Sequence, residues 1–328
     1  MSVAILRTGP LTTVQDLGRN GFREIGVGAS GALDGFAVRA GNLLAGNDEA
    51  AAVIEVTLGM FRVRFNDARL IAWCGGAFEA RIDGERIPAG HAISVTAGEE
   101  LAFDRPNPGC RAWLAISGGI DLPLVLGSRS TDLRASFGGM DGRSLRADDE
   151  LPLGAMSLRA RAFSSALGSS RIGNWSAPAN WATTALSHPV LRVVRGAHWD
   201  RFQDSAKQAM FSETFSVTTE ADRMGVRLEG PELNRSAVGD LISEAVTPGT
   251  VQIPPNGKPI LLLGDCQTIG GYPKIAHVIS SDLTIAAQLR PGDQLRFNEV
   301  PLADAHELLL TRERELERFR IGLEFHTA

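Results

Sequence analysis

Leu261-Leu262-Leu263-Gly264-Asp265-Cys266-Gln267-Thr268-Ile269-Gly270-Gly271-Tyr272-Pro273-Lys274 carries an apolar strand into a polar turn. The turn holds two adjacent glycines, the only tyrosine of the chain and Lys274, one of three lysines with Lys207 and Lys258. Arginine supplies nearly all the remaining positive charge, so a lysine here points to a need for a compact ammonium. Paired glycines let backbone approach a ligand closely, and their N–H groups can form an anion-holding nest. Asp265, Gln267 and Thr268 add an acid, an amide and a hydroxyl at the end of the same strand. A plain hairpin loop, with a Gly-Gly turn and a Tyr-Pro stack, fits the same residues.

Outward from this stretch, the chain echoes itself. Leu70-Ile71-Ala72-Trp73-Cys74-Gly75-Gly76 parallels Ile260 to Cys266, and Ile5-Leu6-Arg7 parallels Val193-Val194-Arg195. Ile54-Glu55-Val56 parallels Ser243-Glu244-Ala245, and Gly98 to Phe103 parallels Gly292 to Phe297 in a Gly-acid-x-Leu-x-Phe pattern. Weak matches in order and at a nearly constant offset argue for two related β-barrel halves. The cleft between such halves is the default place for a ligand.

Short alternating runs fill both halves. In the first they are Val3 to Leu6, Val53 to Leu58, Phe61 to Phe65, Leu70 to Trp73, Ala80 to Ile82, Ala92 to Val95, Leu101 to Phe103 and Trp113 to Ile116. Strands at this spacing suggest a barrel or sandwich. Residues 18 to 35 read as an irregular glycine-rich loop, after which Asp34 is placed to cap a helix from Gly35 to Leu44. Residues 117 to 150 read as loops with one or two strands. The boundaries expected are a first subdomain at 1–150, an Ala/Ser-rich linker at 151–189 and a second subdomain at 190–328. Within the last, Pro301 to Arg320 reads as a helix with Leu302, Leu309, Leu316 and Phe319 on one stripe, packed on the second subdomain.

At 328 residues with a net charge of -5, the chain is sized for two domains and has no basic surplus for nucleic acid or an anionic membrane. No apolar run is long enough to span a bilayer, and the N-terminus does not read as a signal peptide. Cys74, Cys110 and Cys266, odd in number and widely spaced, read as buried thiols of a cytoplasmic protein. There is no Gly-x-x-x-x-Gly-Lys-Ser/Thr loop, no Met-Lys biotin tether, no Gly-x-Ser-x-Gly elbow and no close His or Cys ligand spacing. A Walker-type nucleotide site, a serine-hydrolase elbow and a metal site are therefore not expected.

These motifs, taken in order, resemble the carboxyltransferase-domain family. That family includes the larger, C-type subunit of bacterial 5-oxoprolinase, one part of urea amidolyase, and the KipA-type antagonist of a kinase inhibitor. In the first half the resemblance rests on Thr13 to Arg19, Ser30-Gly31-Ala32-Leu33-Asp34, Asn42 to Asn47, Ser117 to Asp121 and Leu126 to Thr131. In the second it rests on Asp222 to Pro231, Ser243-Glu244, Val251 to Pro255, Gln267-Thr268 and Gly270 to Lys274. Cys266 stands where the family usually has Arg, and Ile269 where it usually has a second Thr; these departures bear on substrate choice and leave the fold intact. The resemblance implies a mainly β (α+β) fold of two related cyclophilin-like barrels with a few helices. It also implies a smaller, KipI-like B-type subunit as partner, with a lactam-hydrolysing A-type subunit beside it.

Within that frame, Lys274 is the candidate electrostatic clamp for a carboxylate, phosphate or developing oxyanion. Asp265 and Glu244 are candidate general bases, or ion-pair partners for which Arg223 is available. Gln267 and Thr268 suit an amide or ureido group, which needs both donor and acceptor. Gly270, Gly271 and Tyr272 complete the binding turn. Arg19 and Arg223 are candidate anion ligands, and Gln15, Asp16 and Asp34 are either site members or loop-bracing groups. Three functions fit. The first is the C-type subunit of an ATP-dependent hydrolase of the cyclic amide 5-oxo-L-proline, with ATP bound through the complex. The second is a biotin-dependent carboxyltransferase acting on urea or a related amide, and the third a non-enzymatic antagonist of a kinase inhibitor.

Overall fold

The computed structural model describes residues 1–236 and 241–325, so 237–240 and the last three residues of the expected second subdomain lie outside it. The chain divides into two units, the first formed by Met1–Arg19, Ser30–Ala185 and Arg314–Ala328, the second by Asn20–Ala29 and Leu186–Glu313. The fold is mainly β, with helices at a few places along the chain.

In the first unit two six-stranded sheets enclose one core. One runs Glu150–Pro152, Ser2–Thr8, Phe61–Phe65, Glu100–Phe103, Ala80–Ile82, Glu85–Ile87. The other runs Ile172–Ser176, His91–Val95, Arg69–Gly75, Arg111–Ile116, Val53–Thr57, Leu11–Gln15. Phe61–Phe65 shows why the sequence chose this arrangement: Phe61, Val63 and Phe65 are buried while Arg62 and Arg64 face out. Arg69–Gly75 and Arg111–Ile116 are buried at every position, because the helix Gly35–Leu44 covers their outer face. Asp34 starts that helix by accepting the Ala37 N–H at 2.9 Å. Phe103 of one sheet meets the edge of Trp73 from the other at 5.2 Å, joining the layers. Glu55, the echo of Glu244, is buried here and accepts the Trp113 indole N–H at 2.7 Å.

The expected linker carries structure of its own. Ser157 caps the helix Leu158–Leu167, Ile172–Ser176 pairs with His91–Val95, and Ala179–Ala182 forms a short helix. Phe163 meets Trp175 within the segment, ring centroids 5.6 Å apart, and the pairing with His91–Val95 ties the segment to the first unit.

The second unit is a closed seven-stranded barrel in the order Val190–Arg195, Lys274–Val278, Thr250–Gln252, Ile260–Leu262, Gly225–Glu229, Phe215–Ala221, Gln294–Glu299. The first and last strands pair in parallel, Val190 opposite Arg296, and close the ring. Phe215 and Phe297 pack edge to face at 5.6 Å in its interior. Each echoed segment includes strand residues, but Ile260 to Cys266 leaves its strand after Leu262, and Glu244–Ala245 pairs outside the barrel. Residues 20–29, read from sequence as part of a loop, belong to this unit and include the short helix Arg23–Ile25.

The C-terminal helix spans Leu302–Glu324. Its buried line runs through Ala305, Leu316 and Leu323, whereas Leu302 at its start is 59% exposed. The expectation placed it on the second subdomain; the helix is in fact divided between the units. Arg312 donates to the Ser281 carbonyl at 2.8 Å, and Phe319 meets the edge of Trp181 at 5.7 Å. Cys74, Cys110 and Cys266 are all buried, with no disulfide among them. Among the described residues no helix is long and apolar enough to cross a membrane, and no group of three or more His, Cys, Asp or Glu could hold a metal.

Candidate functional site

The opening stretch folds into three neighbouring arrangements within the barrel unit. The first is an ion cluster. Ile269–Gly270 pairs with Glu244–Ala245, Glu244 opposite Gly270, in a two-residue ladder beside the barrel. The Lys274 Nζ lies 2.8 Å from Glu244 Oε2 and donates to the Ala245 carbonyl at 3.1 Å. The hydrogen bond from this ammonium holds the Glu244 carboxyl below the usual carboxylate range. His198 completes the cluster. Its backbone N–H donates to the Lys274 carbonyl and its Nδ1 accepts the Lys274 N–H, both at 3.1 Å. With Nδ1 occupied as an acceptor, the ring proton resides on Nε2, which faces Glu244 Oε2 at 3.7 Å. Burial pushes the His198 imidazole below its ordinary value, partly opposed by the Glu244 charge.

The second arrangement is a buried ion pair. Arg223 Nε and Nη2 donate to the two oxygens of Asp265 at 2.8 and 3.0 Å, with both side chains under a tenth exposed. The Asp265 N–H also donates to the Arg223 carbonyl. This fork-to-fork geometry braces the strand end and engages both oxygens of the candidate base.

The third is a cavity of about 530 Å³. Met224, Ile260 and Leu262 give it apolar walls, Gln252, Gln267 and Tyr272 neutral polar groups, and Glu220, Asp222 and Arg227 its charges, Glu220 and Arg227 being paired at 2.8 Å. Neither Lys274 nor Glu244 lines it. Gly270 and Gly271 do not take up the left-handed backbone of an anion nest. Gly270 is instead closely packed, since a Cβ there would lie 2.7 Å from Gln252 Nε2 and 3.4 Å from Gln267 Nε2 and would push the Gln252 carboxamide aside. Thr268 joins through its backbone, its carbonyl accepting the Val246 N–H at 3.1 Å.

The candidates from the N-terminal half lie in the first unit. Asp16 Oδ1 accepts from Ser128 Oγ, Ser130 Oγ and the Gly18 N–H, and its Oδ2 accepts from the Arg129 N–H, all within 2.8 Å. Arg19, 1% exposed, donates to the Ser130 carbonyl and lies over the Phe137 ring at 4.6 Å. Gln15 Nε2 donates to Thr13 Oγ1 and the Thr131 carbonyl. With Asp34 at its helix cap, all four are buried in bracing networks.

Sequence reasoning passed over Arg23, His198 and Gln252. Arg23 sits between Gly21 and Gly26, where nothing marked it; its Nη2 donates to the carbonyls of Val246 and Gln267. Its guanidinium also approaches Cys266, opposing the rise that burial imposes on that thiol. Arg23 thus places a cation beside Cys266. Gln252 was legible as a member of the run Val251 to Pro255 that carries the resemblance, but no role was assigned to it.

The carboxyltransferase domain, subdomain A and B, matches residues 25–299 of the chain. The chain is 37% identical over 317 residues to the 5-oxoprolinase C-type subunit of Escherichia coli (strain K12), covering 96% of each. It is 31% identical over 331 residues to the urea amidolyase of Lachancea kluyveri, covering 96% of this chain but 18% of that one. The crystal structure of K. lactis urea amidolyase is similar to 97% of this chain, with a TM-score of 0.87 at 27% identity, using 20% of its own length.

Proposed function

Because the chain belongs to the carboxyltransferase-domain family, we propose that it is the C-type subunit of a 5-oxoprolinase, binding the lactam that a complex with A-type and B-type subunits opens. The observation that carries this reading is the barrel-unit cavity, where the carboxamides of Gln252 and Gln267 and the Tyr272 phenol meet apolar walls. Such a lining suits a small, flat amide. Similarity along 96% of a relative named as one subunit of an enzyme favours the same kind of role here.

Under this reading Gln252, Gln267 and Tyr272 orient the lactam. Lys274 pairs with Glu244 outside the cavity lining and is the electrostatic clamp available to an anion that displaces that half-exposed carboxylate. Glu244, kept ionised by Lys274, holds that place. Asp265 secures Arg223. Opening an unstrained lactam needs activation, and ATP, bound through the complex, supplies it.

The test is turnover by the chain co-purified with its A-type and B-type partners, followed as ATP-dependent release of L-glutamate from 5-oxo-L-proline. Lys274→Ala should lower kcat/KM by about tenfold or more. Full ATP-dependent turnover by the chain alone would overturn the division of labour.

The TM-score of 0.87 to urea amidolyase favours a second reading, a biotin-dependent carboxyltransferase acting on urea or a related amide. The two carboxamides fit the ureido edge of biotin as well as a lactam, and biotin when bound would carry the carboxyl group. Carboxylation of urea dependent on a biotinylated carrier, with no glutamate formed, would select it.

A further inference from the structure

Gln252 is 1% exposed, yet it lines the cavity. Its Nε2 donates to the Tyr272 carbonyl at 3.3 Å, and among the described residues its carboxamide makes no other hydrogen bond. One N–H and Oε1 therefore have no protein partner among the described residues, on a residue that lines the cavity. A donor and an acceptor side by side at a cavity wall are available to a ligand that can pair with both. The surrounding structure fixes its aim. Pairing along the strand shifts register between Val251 and Gln252, Val251 facing Ala276 but Gln252 facing Lys274, the kind of irregularity that redirects a side chain. Gly270 then presses against Nε2 from the ladder side, where no Cβ would fit without displacing it.

We propose that Gln252 is the specificity-determining residue of this cavity and that it reads the cis edge of an amide. A primary carboxamide presents C=O and one N–H side by side. Its complement must do the same, as a lactam, an imide or a ureido group does. An ordinary trans amide points its N–H and C=O in opposite directions and can satisfy only one of the two. Gln267, whose side chain makes no hydrogen bond among the described residues, stands on the same wall to take the outer face of the ligand. A site built to pair both groups discriminates strongly, because the mismatched ligand leaves one of them unpaired. The inference rests on the reading that the cavity takes an amide, and it adds which amides are admitted and by which residue.

The test uses the intact chain alone, with binding followed by calorimetry and by amide NMR shifts. Four probes separate the geometry: 5-oxo-L-proline and 2-pyrrolidone, which carry the cis edge; N-methyl-2-pyrrolidone, which lacks the donor; and N-methylacetamide, which is trans. The first two should bind about tenfold or more tighter than the last two. Gln252→Glu, of the same shape but without the N–H donors, should abolish that preference. Equal binding of all four probes, binding of none, or an unchanged preference in Gln252→Glu would each overturn the proposal. The probe comparison needs no variant, so a Gln252→Glu chain that fails to fold leaves it decidable. The outcome is independent of turnover by the complex: a complex that forms no glutamate refutes the function and leaves a measured cis preference standing.

Discussion

An imidazole whose Nδ1 already accepts a backbone N–H resists a second proton, because protonation would turn that acceptor into a donor facing a donor. His198 is held this way by Lys274, and His277 is pushed in the same direction by burial alone. Both rings should titrate by NMR below the usual imidazole value of about 6.5, and the Lys274 amide signal should move with His198 only. The unfolded chain then binds protons at a higher pH than the folded one. Stability should be fully present above the unfolded value and should fall as pH drops through it toward the folded pKa values. Replacing His198 by Asn should flatten part of that slope. Arg223→Ala tests a different residue: it leaves Asp265 buried without its fork, and chemical denaturation should show a loss of about 3–5 kcal/mol. Such pairings explain the limits of sequence reading at this scale. Lys274 and Gln267 were legible from rarity and chemistry, but Arg23 and His198 reach the site from distant segments, and no local pattern marks a residue for a partner that far along the chain.

Elements were more legible where burial is one-sided. Strict alternation in Phe61–Phe65 and the capped run after Asp34 yield their strand and helix directly. The stretch 151–189 was obscure because Ala and Ser dominate its helix, while its anchors, Phe163 and Trp175, bury by meeting each other. The two-residue ladder of Glu244–Ala245 with Ile269–Gly270 is shorter than any periodic signal. At this scale the strap formed by Gly196 to His198 is the element to probe. A Cβ on Gly196 would lie 2.3 Å from the Lys274 carbonyl, a backbone atom that cannot step aside. Gly196→Ala should cost about 1–3 kcal/mol by thermal or chemical unfolding. It should also shift the Lys274 and His198 signals together, whereas an equal change at Gly322, with open space around it and no left-handed backbone, should leave those signals unmoved.

For the molecule as a whole, the internal echo made two β halves legible but not the way the chain shares itself between them. The polypeptide leaves the first unit at Asn20, returns at Ser30, leaves again at Leu186 and returns at Arg314. Arg23, carried by the first excursion, should therefore matter to the barrel: Arg23→Ala removes the donor to the Val246 and Gln267 carbonyls and should destabilise that unit by about 1–3 kcal/mol, read as an earlier melting step. The final return sets an order of assembly. On the ribosome the first unit stays unfinished until the helix residues after Glu313 emerge, since Phe319 must arrive to cover Trp181. A nascent chain stopped at Glu313 should show red-shifted tryptophan fluorescence and bind holdase chaperones, so strands made early wait on a segment made more than a hundred residues after them.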